Sequence, residues 1–254
     1  MMLWRALAAD ALKLRRSLVL LIGLLLPALA VLAVTLGLVH TGLHGFAMAR
    51  SGPGAFYVTY VLQTWLLTVW PLFVALLTAL LHGMDHANGN YRYLLGLPVP
   101  RWALVGSKLL WAMALSALAL ALAVLGVSMF FGLKLLAWLR PDAGLGVGWP
   151  LPAGLALLPL VWLASLLLIS LHDWVALRFA GMVSAMAVGL AATLLTVVAS
   201  SAEFGRISPW VLPLQIGNSV ILHVSPWPAV VQSLCAMPLV VALMLADTRR
   251  REFV

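Results

Sequence analysis

A chain of 254 residues that is 64% hydrophobic and only 9% charged lies far from a soluble domain, where about 25% of residues are charged and about half are apolar. This excludes an ordinary water-soluble globule, a disordered chain and a disulfide scaffold, and the one cysteine, Cys235, closes no intrachain disulfide. The net charge of +8 reads as topology-sorting charge on a membrane protein rather than as a nucleic-acid surface.

Residues 2–16 open the chain with an amphipathic helix. Leu3, Trp4, Leu7, Ala11 and Leu14 fall on one side of the wheel, Arg5, Lys13 and Arg16 on the other, with Asp10 at the margin. Such a helix lies in the cytoplasmic interface with Trp4 at headgroup depth. Six runs free of Asp, Glu, Lys and Arg follow: Ser17–Ala49, Ser51–Met84, Leu109–Leu133, Ala143–His172, Phe179–Ala202 and Ile207–Ala246. Each exceeds the ~20 apolar residues that cross a bilayer as a helix. The expected spans are Ser17–Val39, Phe56–Leu81, Ala103–Phe131, Leu151–Leu171, Ala176–Ala199 and Pro226–Ala246. The first is too long for the ~7–15-residue apolar core of a signal peptide. With both termini cytoplasmic, eleven basic residues fall inside and only Arg50, Lys134, Arg140 and Arg206 outside, a positive-inside bias. The expected fold is all-α: one polytopic membrane domain, 1–254, with six transmembrane helices, N-in and C-in.

Two connections carry pattern. The inner loop 83–101 contains Asp85, which can cap a short helix near His86–Leu95, and then Pro98 and Pro100, which end it. The outer segment 200–225 is apolar, with Pro209, Pro213 and Gly217 as expected breakers, and reads as short interfacial or re-entrant helices. Trp102, Trp111 and Trp174 fall near inner ends, and Trp138, Trp149, Trp210 and Trp227 near outer ends, as in aromatic belts.

Chemistry is sparse. His40/His44 and His82/His86 are spaced four apart, but two ligands make no metal site, and both pairs fall at expected span ends. His172 and Asp173 fall at an expected inner turn, so no charge remains inside a span. That argues against an ion-driven transporter and an intramembrane hydrolase. Gln63, Thr64 and Thr68 either line an amphipathic pathway or bond across helices. Gly181, Ala185, Gly189 and Thr193 form a small-residue stripe suited to close helix packing, with an intrachain contact favoured over a dimer face. No Walker A sequence occurs, so the chain has no such site for ATP.

Two stretches carry a family resemblance. Ala9-Asp10-Ala11-Leu12-Lys13-Leu14-Arg15-Arg16-Ser17 sets an acid before a basic cluster entering the first span. Asn90-Tyr91-Arg92-Tyr93-Leu94-Leu95-Gly96-Leu97-Pro98-Val99-Pro100-Arg101, followed by Lys108, ends in a Leu-Pro-x-x-Arg stretch and a Lys. Together they resemble the membrane subunits of type-2 ABC transporters, most nearly the six-span permeases of lantibiotic and bacteriocin self-protection. Asp10 and Asp85 stand where Glu is commoner. The resemblance implies a coupling helix in 83–101, with Asn88, Tyr91, Arg92 and Arg101 meeting the ATPase. It implies no catalysis or cofactor on this chain, ATP and Mg on two copies of a separate ATPase subunit, and a second permease chain, identical or homologous. It also implies export by alternating access from a bacterial cytoplasmic (inner) membrane of a hydrophobic or amphipathic substrate, an antimicrobial peptide of the lantibiotic kind among the candidates. The alternatives are an exporter of a lipid, drug or natural product, and, in another class, a membrane anchor or haem-binding subunit of a redox complex.

Overall fold

The computed structural model describes residues 2–15, 17–40, 63–86, 93–94, 99–132, 151–179, 181–199 and 203–250. Among them there is no strand. The helices are α1 (Met2–Leu14), α2 (Leu18–His40), α3 (Trp70–His86), α4 (Arg101–Gly132), α5 (Leu151–Arg178), α6 (Met182–Ala199), α7 (Leu212–Leu222) and α8 (Trp227–Arg250). A π-helical turn, Trp65–Val69, leads into α3, and a 3-10 turn, Glu203–Ile207, precedes α7. Among the described residues, four helical stretches are long and apolar enough to cross a membrane: Trp65–His86, Arg101–Gly126, Ala156–Arg178 and Trp227–Arg250. Shorter apolar stretches, Leu18–Ala30 and Met182–Val198, lie in α2 and α6.

The π turn has a local cause. Pro71 has no N–H to give the carbonyl four residues back, and the Trp70 N–H reaches instead to the Trp65 carbonyl, five back. The Thr68 hydroxyl bonds the Thr64 carbonyl within the same turn. Pro27, Pro159 and Pro238 lie inside α2, α5 and α8.

α5 is the central helix, packed by α3, α4, α7 and α8. Trp70, wholly buried, stacks on Phe73 with centroids 5.8 Å apart. Its Nε1 donates to Ser165 Oγ of α5 at 2.9 Å, and Ser165 passes the bond to the Val161 carbonyl at 2.7 Å. An indole N–H in an apolar interior needs such an acceptor. From α8, Ser233 Oγ accepts from the Leu167 N–H at 3.0 Å. Close approach does the rest. A Cβ on Gly189 would lie 2.5 Å from Ala75 Cβ and 3.2 Å from His172 Cε1, and Ala185 is buried beside Ala79 and Ala176. The small stripe of α6 therefore packs within the chain, against α3 and α5, as favoured from the sequence.

Three sequence expectations shift. α5 runs to Arg178 and α6 begins only at Met182, whereas the charge count stopped the fourth span at Leu171. The helix continues because Asp173 is matched inside the bundle rather than left at a turn. α3 likewise extends through Asp85 to His86, so residues 83–86 of the inner loop are helical. In the outer segment Gly217 does not break α7. A Cβ there would sit 3.1 Å from Leu66 Cδ1, so glycine admits close contact. Pro213 occupies the first turn of α7, where its missing N–H costs nothing. α7 stops at His223, whose φ of 52° makes a left-handed cap, with the Val224 N–H on the Ser219 carbonyl.

Candidate functional site

α1 is seated by one buried face, Ala6, Asp10 and Leu14, one residue per turn. The wheel put Asp10 at the margin, yet it is the polar centre of that face. Around it four charges from three helices alternate in sign. Lys13 Nζ lies 2.7 Å from Asp85 Oδ1 and 3.6 Å from Asp10 Oδ1. Lys108 Nζ lies 2.7 Å from Asp85 Oδ2 and 3.3 Å from Asp10 Oδ1. Ser107 Oγ adds a 2.6 Å bond to Asp10 Oδ2. Asp10, Asp85 and Lys108 are buried. Two acids against two lysines leave no net charge, which is how ions survive burial. Burial alone would depress the Lys13 ammonium. Its hydrogen bond to Asp85 and the charges of Asp85 and Asp10 outweigh that and hold its pKa above the usual 10.5. Trp111 Nε1 bonds the Leu7 carbonyl at 3.2 Å, so α4 grips α1 at a second point. Asp is long enough here because α1 lies against α4, with Leu3 Cδ1 3.7 Å from where a Cβ on Gly106 would stand.

The ring also brackets the inner loop. Asp85 lies one residue from the end of α3 and Lys108 two turns into α4, so their ion pair ties together the two flanks of 87–100. Arg101, at the first residue of α4, donates from Nη1 to the Thr248 carbonyl at 2.9 Å and to that of Arg249 at 3.4 Å. A guanidinium on the last carbonyls of α8 is favourable with the helix dipole. The loop is thus fastened to α1 on one side and to α8 on the other. Of the other expected coupling residues, Asn88, Tyr91 and Arg92 lie outside the described residues, while Tyr93 is exposed.

A second polar centre lies between α3 and α5 and was missed. His82 Nε2 and Asp173 Oδ1 are 2.9 Å apart, both side chains fully buried. The other oxygen, Asp173 Oδ2, accepts no hydrogen bond among the described residues. One residue away, His172 Nε2 accepts from Trp210 Nε1 at 3.2 Å, the rings edge-on at 87° with centroids 5.6 Å apart. Trp210 is therefore no belt residue. The turn before α7 returns into the bundle, where Val211 and Leu212 are buried. Trp174 and Arg178 of α5 reach Asp247 of α8 at 3.1 and 3.4 Å. The signal for this centre was the adjacent His172 and Asp173 within an apolar stretch. Among the described residues no three His, Cys, Asp or Glu side chains converge as metal ligands would.

The pathway candidates Gln63, Thr64 and Thr68 share the turn before α3. Gln63 Nε2 donates to Asn218 Oδ1 of α7 at 3.3 Å on an exposed surface, while Thr68 is turned onto its own helix. Nearby polar contacts fasten the segment ahead of α7: Gln232 Nε2 bonds the Ile207 carbonyl at 2.8 Å, Thr196 meets Ser208 at 3.4 Å, and Gln215 bonds the Arg206 carbonyl.

Apolar helices packed by small residues, with buried charges that are matched in sign, define a multi-pass helical membrane protein with an ordered charged end. Residues 6–174 match the family model described as ABC-2 family transporter protein. The chain belongs to that family and is a membrane permease component of an ABC transporter. The matched region contains Asp10, Lys13, Asp85, Lys108, His82 and Asp173. No curated protein and no solved structure matches the chain.

Proposed function

We propose that this permease chain is the six-span, N-in and C-in subunit of an ATP-driven exporter. It moves a hydrophobic or amphipathic substrate, with lantibiotic-like peptides as the first class to test. ATP is bound and hydrolysed on a separate ATPase subunit, two copies to a pair of permease chains in the bacterial inner membrane. The loop 83–101 docks on the ATPase through Asn88, Tyr91 and Arg92, and Arg101 passes movement of the loop to the end of α8. Gln63, Thr64 and Thr68 face the substrate as it leaves.

The observation that carries this reading is the Asp85–Lys108 pair within the charged ring. It makes both flanks of the loop and α1 one body, so a push on the loop moves three helices together instead of bending a free turn. The arrangement supplies positioning and no covalent chemistry. Inside-out vesicles bearing the chain and its ATPase should take up an amphipathic cationic peptide when ATP is added, and not with a non-hydrolysable analogue. Uptake of a labelled lipid or drug in place of the peptide would move the cargo to the alternative class. Absence of ATP-dependent movement for all three would refute the exporter reading.

A further inference from the structure

The face of α1 opposite the charged ring has its own chemistry. Trp4, Ala8 and Leu12, at i, i+4 and i+8, form an exposed stripe, with Trp4 76% and Leu12 66% exposed. Arg5 and Arg15, also exposed, flank it. Neither guanidinium pairs with a described carboxylate. The one acid of α1, Asp10, is buried on the other side. The outward face is therefore apolar at its centre and purely cationic at its margins.

We propose that this face of α1 is a recognition surface for acidic phospholipid. Trp4 and Leu12 sit at the headgroup–acyl boundary, and Arg5 and Arg15 hold phosphodiester oxygens, which a planar guanidinium can grip with two parallel bonds. Charge complementarity selects this occupant. A zwitterionic headgroup offers the same phosphodiester but sets a choline cation beside it, so it attracts two arginines less than an acidic one does, and an apolar protein groove would leave them uncompensated. A helix with one face in acidic lipid and the other in the Asp10–Lys13–Asp85–Lys108 ring joins the lipid surface to the flanks of the inner loop. The lipid contact is a property of this chain alone and does not depend on its ATPase or cargo.

The test offers the detergent-purified full chain equal amounts of phosphatidylglycerol and phosphatidylcholine and counts bound lipids by native mass spectrometry. Each arginine near an acidic lipid should contribute about fivefold, so that Arg5 and Arg15 together account for a factor of about 25 in the preference. Arg5→Gln with Arg15→Gln should lower the ratio by that factor, leaving only what the other inner basic residues contribute, while Arg5→Lys with Arg15→Lys should keep most of it. A separate measurement leaves the arginines in place: Ala8→Cys in a Cys235→Ala background, carrying an environment-sensitive dye, should be quenched more by brominated phosphatidylglycerol than by brominated phosphatidylcholine. No preference in the unmodified chain, an unchanged preference in the glutamine pair, or equal quenching by both lipids overturns the proposal. So does efficient crosslinking of the Ala8→Cys variant, through its new thiol in native membranes, to the ATPase or to a second copy of the chain.

Discussion

Asp85 and Lys108, 2.7 Å apart and both buried, bracket a loop that carries Asn88, Asn90, Tyr91, Arg92 and Tyr93 ahead of Pro98 and Pro100. Removing one member unbalances the ring, since Asp85→Asn leaves Lys13 and Lys108 sharing Asp10 and Lys108→Gln leaves Asp10 and Asp85 sharing Lys13; one uncompensated buried charge costs up to about 3–5 kcal/mol, whereas removing both members costs less. Asp85→Asn or Lys108→Gln should each lower the thermal midpoint of the purified chain. The double variant should recover more than half of the larger loss. Additive losses would show that the two do not act as a pair.

The raised pKa of Lys13 makes an alkaline prediction. A lysine whose folded value exceeds its unfolded value stabilises the fold fully below the unfolded value, about 10.5, and the contribution is lost as pH rises through the folded one. Stability measured from neutral pH upward should therefore show a step above pH 10.5 that is absent in Lys13→Gln. Between pH 6 and 9 the two chains should differ by a constant amount.

Gly189 is required for packing. Gly189→Ala drives a methyl to 2.5 Å from Ala75 Cβ, and overpacking of this kind costs about 1–3 kcal/mol. Ala75→Gly placed in the same chain should restore most of that loss, because it removes the opposing atom. Failure of the rescue, with Gly189→Ala destabilised, would mean that the His172 ring is the obstacle instead.

Orientation is tested by single cysteines in a Cys235→Ala background. Ser51→Cys and Ala143→Cys should react with an impermeant thiol reagent from outside sealed cells, and Asn88→Cys should not. Thr248 is buried, with its carbonyl held by Arg101, so Arg250→Cys is the better inner probe at the C-terminal end. Labelling of Asn88→Cys in intact cells would reverse the topology.

Helical class and membrane residence were legible because charge-free runs longer than a bilayer leave little choice of structure. Helix ends were less so. Asp173 and Asp85 read as boundary markers because a lone acid is costly in an apolar helix, and only the folded chain shows that His82 and Lys108 lie beside them. Those partners are 91 and 23 residues away, beyond any periodicity. The same distance problem hid Asp10: the wheel for residues 2–16 describes a helix meeting lipid, but its buried side is chosen by Lys108 and Ser107 of α4. Trp210 was misplaced because belt statistics say nothing of a turn that folds back to His172. The start of α4 at Arg101 was recognisable from local residues, since Pro98 and Pro100 stand just before it.

The central claim is that the loop 83–101 transmits the work of a separate ATPase. Its most direct test is co-purification of the ATPase with Tyr91→Ala/Arg92→Ala, beside the unmodified chain, with insertion levels matched. The account predicts that the unmodified chain retains the ATPase and shows no nucleotide hydrolysis when stripped of it. The double variant should insert normally but lose the ATPase or its transport. A variant that inserts normally, keeps its ATPase and still transports at the unmodified rate would contradict the account.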